Sequence, residues 1–283
     1  MTAALCVLAL IYYRGWVRLR QVLPIVAARW WPYAFVGGLF ALWVAIGSPL
    51  AALDEELLTV HMAQHILLSV VAPPLILLGA PALPLLYGVP RRFMLHVAVV
   101  RLLRSVSARA LGRVLARPAV CWSVAIGVFI GWHIPPLFQL GLGSEGWHAI
   151  EHTSFLGSGL LFWWPVVQPW PSTPKWPRWS VPLYLFAAIL PCDGLSAFLA
   201  FSDRVVYPAY LTAPRHFGLS VLQDQECAGA LMWLCVTIAY VIPAAIVTTK
   251  LLSPCTEAVA TPLRTDLFSN FTHPRDGENV PVI

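Results

Sequence analysis

Long runs of apolar residues recur through the whole chain and constrain its fold more than any other feature. A membrane-spanning helix needs about 20 mostly apolar residues to cross a hydrocarbon core about 30 Å thick. Seven candidate runs lie at residues 1–13, 32–53, 61–88, 119–140, 148–170, 181–201 and 222–249. Only 11% of the residues are charged, whereas soluble domains contain about a quarter. The sequence therefore predicts an all-α bundle of seven transmembrane helices.

The first run and the distribution of charges set the predicted topology. Residues 1–13 would form a helix only about 20 Å long, so we expect a short first span. Arg14, Arg18 and Arg20 follow this run, whereas a signal peptide carries its basic residues in front. Because Lys and Arg concentrate in alternate loops, and such loops stay in the cytoplasm, we expect the N-terminus outside and the C-terminus cytoplasmic. The net charge of +5 then reflects topology and requires no nucleic-acid partner.

Two segments are expected to lie outside the spans. Segment 90–118 mixes arginines with apolar residues, which favours an amphipathic connector on the anionic cytoplasmic leaflet. From Ser253 onward the chain becomes polar, so residues 253–283 are predicted to form a cytoplasmic tail that is partly disordered. The transmembrane domain is then residues 1–252, surrounded by membrane lipids.

Histidine pairs begin two of the predicted spans. His61 and His65 begin the third and His148 and His152 the fifth, with four residues between the members of each pair. That spacing places two imidazoles on one face of a helix, where they can share a metal ion. His133 belongs to the fourth span, which runs the opposite way, and should lie about 10 Å below its outer end. All five are thus expected in the outer half of the membrane, where intramembrane polar groups usually mark function.

Other side chains are candidates for completing this site. Glu151 lies inside the second histidine pair, where it could orient a ring as a hydrogen-bond acceptor or face the lipid headgroups. Asp224 and Met232 lie near one face of the seventh span. They could add a carboxylate and a thioether to the site, or act only as a helix cap and as packing.

The six cysteines form no Cys-x-x-Cys pair, and their scatter through apolar runs favours small buried residues over a zinc site or a disulfide framework. Cys192 beside Asp193, in the middle of the sixth span, is the exception. An intramembrane carboxylate is costly, so we expect Asp193 to face the bundle interior, and the adjacent thiol could be a soft metal ligand.

Several classes of membrane protein use histidines of this kind. Imidazole with a nearby thioether prefers copper to hard cations. A b-type cytochrome or quinone oxidoreductase would use the histidines as axial haem ligands, although a pair on one helix crowds one edge of a haem. A metal hydrolase or desaturase-like enzyme would need more carboxylates or histidines, and a copper permease a polar path that the inner half lacks. The sequence contains no nucleophile and base arrangement that would indicate an enzyme.

A resemblance to a known family rests on motifs spread along the chain. They are His61-Met62-Ala63-Gln64-His65, Ala72-Pro73-Pro74, Leu78-Gly79-Ala80-Pro81, Trp132-His133-Ile134-Pro135-Pro136, His148 to His152, Phe162-Trp163-Trp164-Pro165, Tyr207-Pro208-Ala209-Tyr210 and Asp224-Gln225 with Met232-Trp233. In this order they resemble the CtaG family, whose members are assembly factors for bacterial haem-copper cytochrome c oxidase. The likeness extends from about residue 30 to residue 250.

The resemblance implies a multi-pass protein of the bacterial inner membrane that is not an enzyme and that delivers or inserts copper into the oxidase. The positions that match are the five histidines, Asp224 and Met232. Oxidase subunits are the implied partners, and a soluble periplasmic donor could supply the copper. Cys192 and Asp193 match no motif of the family.

Overall fold

The computed structural model describes residues 1–25, 27–89, 106–169, 176–214 and 218–253, and every regular element in these ranges is helical. The helices are α1 (Thr2–Val22), α2 (Trp31–Gly47), α3 (Leu58–Ile66), α4 (Ala72–Leu78), α5 (Ala82–Gly88), α6 (Val106–Leu115), α7 (Pro118–His133), α8 (Pro135–Leu142), α9 (Glu145–Val167), α10 (Ser180–Phe201) and α11 (Val221–Leu252). A π-helical segment, Leu67–Val71, joins α3 to α4, and Pro49–Leu53 and Pro208–Leu211 are short 3-10 helices. The prediction of an all-α fold is therefore confirmed.

Five helical segments of the described chain are long and apolar enough to cross a membrane. They are Thr2–Val22, Trp31–Leu53, Leu58–Leu78, Ser180–Phe201 and Val221–Leu252, and the bent pair of α7 and α8 is a sixth candidate. The expectation of several membrane-spanning helices is thus supported. The fifth predicted span corresponds to α9, which is 23 residues long but does not belong to this set. The count of seven spans and the predicted orientation stay predictions.

The first helix corrects one expectation. α1 continues past Tyr13 to Val22, and its 21 residues give a length of about 31 Å, so the span predicted to be short is long enough to cross. Arginine can lie in the last turns of such a helix because its apolar stem stays in the membrane while its charged end reaches the boundary. Arg18 donates to the backbone oxygen of Tyr87 at 3.0 Å, which anchors this end of α1 on α5.

The third apolar run divides into a span and a separate short helix. The span formed by α3, the π-helical segment and α4 ends before Ala80, whose positive φ of 44° turns the chain into α5. α5 packs closely against α1. A Cβ on Gly15 would collide with the backbone oxygen of Pro84, and one on Gly88 with that of Ile11, so glycine permits this close approach.

The fourth apolar run bends by 78° between α7 and α8. Pro135 and Pro136 follow the bend, and proline disfavours helical geometry in the residue before it. Ile134 is accordingly extended, with φ −69° and ψ 124°. His133 is the last residue of α7, so the chain continues beyond it only through the bent helix α8, and its predicted depth of about 10 Å below the outer end of the span stays a prediction.

The long helices α10 and α11 pack side by side and form one wall of a cavity that His65 and His133 also line. Gly229 makes this possible, since a Cβ there would meet the backbone of Ser196 and Ala200. Small residues are typical of contacts between membrane helices. On the opposite faces of the two helices, Phe198 and Leu234 are more than half exposed, as expected for surfaces that contact lipid.

Parts of the predicted domain organisation lie outside the described residues. The connector 90–118 is described from residue 106 and contains the helix α6, and its predicted position on the membrane surface stays a prediction. Residues 90–105 and 254–283, which include nearly all of the predicted tail, are outside the described ranges. The division into a domain of residues 1–252 and a tail of 253–283 stays a prediction.

Candidate metal centre

α3 supplies the first two imidazoles. His61 and His65 lie one helical turn apart, both are buried, and their ring centroids are 4.4 Å apart. The start of this helix is held by Asp224 of α11, whose carboxylate accepts from Leu58 N at 2.7 Å, Thr59 N at 3.1 Å and Thr59 Oγ1 at 2.6 Å. A carboxylate in this place satisfies the free N–H groups of a helix N-terminus. It therefore fixes the position of α3 in the bundle.

A side chain of α9 fixes the segment that follows the pair. Ser69 lies in the π-helical segment. The residue four positions later is Pro73, which has no N–H, so it cannot donate a hydrogen bond to the Ser69 carbonyl. Trp163 Nε1 donates to this carbonyl at 3.1 Å. A Cβ on Gly159 would also meet the backbone of Ser69, so α9 lies directly against the segment. These contacts set the register between α3 and α9.

α9 places a carboxylate between the two imidazoles of α3. Glu151 is fully buried, and its Oε1 lies 3.5 Å from His61 Nε2 and 3.2 Å from His65 Nε2. We call His61, His65 and Glu151 the inner group; one ligand atom from each lies within 4.8 Å of the others. The carboxylate of Glu151 therefore faces the other histidine pair and is buried, so it does not face the lipid headgroups; its role as a ligand or as an acceptor that orients a ring stays a prediction.

The second pair meets a carboxylate from a different element. His148 Nε2 lies 3.4 Å from Asp54 Oδ2, and the rings of His148 and His152 are 4.1 Å apart. We call Asp54, His148 and His152 the rim group; its ligand atoms also lie within 4.8 Å of one another. Burial raises the pKa of Tyr210 well above its usual value, so the phenol stays protonated and donates to the Asp54 backbone oxygen at 2.7 Å.

His133 approaches the inner group from α7. Its Nδ1 lies 2.6 Å from the backbone oxygen of Phe129, and a carbonyl can only accept, so Nδ1 carries the proton and Nε2 keeps a free lone pair. The rings of His133 and His65 are 5.9 Å apart. Tyr207 Oη donates to the backbone oxygen of His133 at 3.0 Å, which holds the end of α7 at the bend. The structure therefore brings all five predicted histidines into one cluster.

The polar atoms of this cluster have few protein partners. Atoms without a hydrogen bond among the described residues are both ring nitrogens of His61 and His65, Nε2 of His133, His148 and His152, and both carboxylate oxygens of Glu151. The contacts of Glu151 with the inner histidines, at 3.2–3.5 Å, are within ion-pair distance. Buried polar groups are normally paired, since leaving one unpaired costs about 1–3 kcal/mol. Nitrogen and oxygen lone pairs gathered in this way suit a metal ion.

The remaining candidates lie at different distances from this cluster. Both carboxylate oxygens of Asp224 accept hydrogen bonds from the first turn of α3, and a role as a metal ligand stays a prediction. Met232 and Cys192 line a mostly apolar cavity of about 40 Å³ whose wall also includes His65 and His133. Asp193 is only half-buried and accepts from Thr237 Oγ1 at 3.2 Å, away from the cavity.

Asp54 was missed by the sequence reasoning as a site residue. It lies seven residues before His61 with two glutamates directly after it, so the sequence presents it as part of an ordinary acidic loop. Asp54 differs from the residue that follows it in burial: Asp54 is only 6% exposed, whereas Glu55 is exposed. Only the buried position in the fold could have identified it.

Comparisons with known proteins agree with the resemblance seen in the sequence. The family model described as "Cytochrome c oxidase caa3 assembly factor (Caa3_CtaG)" matches residues 10–253. Uncharacterized proteins of Mycobacterium bovis and Mycobacterium tuberculosis are each 24% identical to this chain, over 82% of it and 35% of their own length. The chain thus spans about a third of the length of these curated relatives. No solved structure matches it.

Proposed function

The chain belongs to the family of cytochrome c oxidase caa3 assembly factors, and we propose that it serves the oxidase by holding copper in the histidine cluster and passing it to an oxidase subunit. The observation that supports this role most directly is the set of buried imidazole and carboxylate atoms that lie within ion-pair distance of one another but have no hydrogen-bond partner among the described residues. A metal carrier needs preorganised ligands, and the side chains of this cluster are already close together.

The donor set of the inner group fits copper. Two imidazoles and a carboxylate bind divalent transition metals, and Cu²⁺ binds such ligands more tightly than Zn²⁺, Fe²⁺ or Mn²⁺. Glu151 supplies one negative charge, which offsets part of the cost of placing a cation in a buried site. His133 Nε2 offers a further nitrogen beside His65. The thioether of Met232 and the thiol of Cys192, on the neighbouring cavity wall, would favour the reduced ion.

The proposed role is that of a metal carrier and not of an enzyme. The copper is cargo, so the protein needs to bind and release it and has no bond to make or break. The proposal places the protein in the bacterial inner membrane, where its oxidase partner lies, and a soluble periplasmic donor could load it. The numerous exposed apolar side chains on α10 and α11 suit such a membrane location.

Haem is a poorer fit to this geometry. The two close pairs, His61 with His65 and His148 with His152, each lie on one helix with ring centroids only 4.1–4.4 Å apart, which leaves no room for a porphyrin between the members of a pair. Two axial ligands also need to face each other across a macrocycle. The optical spectrum of the purified protein tests this point, because bound haem would give a Soret band.

Metal analysis of the full chain, purified in detergent after growth with copper, tests the proposal. We expect at least about one copper ion per chain in the wild type, and the double variant His61→Ala, His65→Ala should contain less copper because it loses the ion of the inner group. The control is His273→Ala, which removes a histidine of the predicted tail and should retain the wild-type copper content. Equal copper in the double variant and the wild type, or no copper in the wild type, would contradict the proposal.

A further inference from the structure

The rim group has the same set of donor atoms as the inner group. Each combines two histidines one helical turn apart with a carboxylate from another element of the fold. His148 and His152 have Nε2 atoms without a hydrogen-bond partner in the described part of the chain. Asp54 faces His148 from the segment between α2 and α3. Three ligand atoms within 4.8 Å of one another can share one ion.

The two groups differ in burial. The side chain of His148 is 22% exposed and that of Asp54 is 8% exposed, whereas His61 and Glu151 are completely buried. An ion that enters from the exposed side of His148 therefore meets the rim group first. A hydrated cation also loses its water in stages if partly exposed ligands replace some of it before the buried site is reached.

Neighbouring ligands connect the two groups without a gap. The rings of His61 and His148 are stacked, with centroids 5.6 Å apart and planes inclined by 8°, and those of His65 and His152 are 6.2 Å apart. Glu151 lies in the same turn of α9 as His148 and His152, so one turn of helix carries ligands of both groups. An ion can pass between them by exchanging one ligand at a time.

We propose that Asp54, His148 and His152 form a second metal site, which accepts copper from solvent and transfers it to His61, His65 and Glu151. This inference rests on the proposed function of the inner group. Tyr210 contributes by holding the backbone of Asp54, so that the carboxylate stays opposite His148. The protein then binds two ions when fully loaded, one in each group.

Copper titration of the detergent-purified full chain tests this inference, with aqueous Cu²⁺ as the probe. Bound ions per chain are counted after gel filtration, and the loading rate is followed by rapid mixing. We expect two ions in the wild type and one in Asp54→Asn, with loading of the remaining ion slower on the order of 10- to 100-fold. The matched control is Glu55→Gln, which removes an exposed carboxylate from the next position and should bind two ions at the wild-type rate.

Each other outcome has a definite meaning. Two ions in Asp54→Asn, or one ion with equal loading rates in Asp54→Asn and the wild type, would overturn the inference and leave the proposed function standing. No copper in the wild type would overturn both. The ion retained by Asp54→Asn itself reports an intact fold. If that variant aggregates, His148→Gln takes its place, because this partly exposed position tolerates substitution better, and the same outcomes decide.

Discussion

The inner group and the rim group have the same three donors in different surroundings. Both pair two imidazoles of one helix with one carboxylate. The inner group is enclosed by α3, α9 and the end of α7. The rim group lies at the start of α9, where Asp54, from the segment between α2 and α3, contacts His148. Electrostatic attraction is stronger where water is excluded, and exchange with solvent is faster where it is not. Burial, and not ligand chemistry, is therefore expected to make one group hold copper and the other exchange it.

The largest effect should come from the inner carboxylate. Glu151→Gln removes the only negative charge of a fully buried site, so we expect the copper affinity of the inner group to fall by on the order of 100-fold or more, with a smaller change at the rim. Titration against a competing chelator measures both. Glu145→Gln, an exposed glutamate of the same helix, is the control and should leave both affinities unchanged. Equal losses in the two groups would contradict the difference between them.

Weakening the anchor of α3 should lower the stability of the protein. Asp224→Asn weakens three hydrogen bonds to a buried charged acceptor, and we expect it to lower the free energy of unfolding by about 3 kcal/mol. Thermal unfolding in detergent measures this change. The control is Glu226→Gln at an exposed position two residues later. Unchanged stability with loss of one copper ion would instead make Asp224 a ligand.

A smaller effect is expected at the contact that aligns α9 with α3. Trp163→Phe removes the donor to the Ser69 carbonyl, and hydrogen bonds between membrane helices contribute about 1 kcal/mol. The distance between Glu151 and the α3 histidines should then become less well fixed, with a severalfold loss of inner-group affinity. Trp164→Phe, at the neighbouring exposed tryptophan, provides the comparison and should behave as the wild type. The same loss in both variants would exclude a role for the hydrogen bond.

The smallest effect should be confined to the rim group. Tyr210→Phe removes the hydrogen bond to the Asp54 backbone, so we expect a severalfold weaker rim site, an unchanged inner site and a loss of stability of about 1 kcal/mol. Copper titration and thermal unfolding measure these quantities. Tyr33→Phe, at an exposed tyrosine, is the control. A change in the inner group of equal size would show that the two groups are not separate.

Much of the fold and part of the site could be predicted from local sequence. Apolar runs located the helices, and the spacing of four residues placed each histidine pair on one helical face. The sequence also predicted that His133 lies near the two histidine pairs although its helix runs in the opposite direction, and the rings of His133 and His65 are indeed close together. Hydropathy could not detect that residues 79–88 leave the third span, or that α7 ends at His133, because both depend on where the chain turns and packs.

The sequence by itself determined the helices, the two histidine pairs and the family, since each depends on residues that are close together or on motifs in order. Only the tertiary structure decided which carboxylate faces which pair. Glu151 lies between His148 and His152 in the sequence but faces His61 and His65, Asp54 faces His148, and Asp224 caps α3 from more than 160 residues away. Such pairings arise from the way helices pack and from the need to satisfy buried polar groups, and the spacing of residues along the chain does not encode either directly.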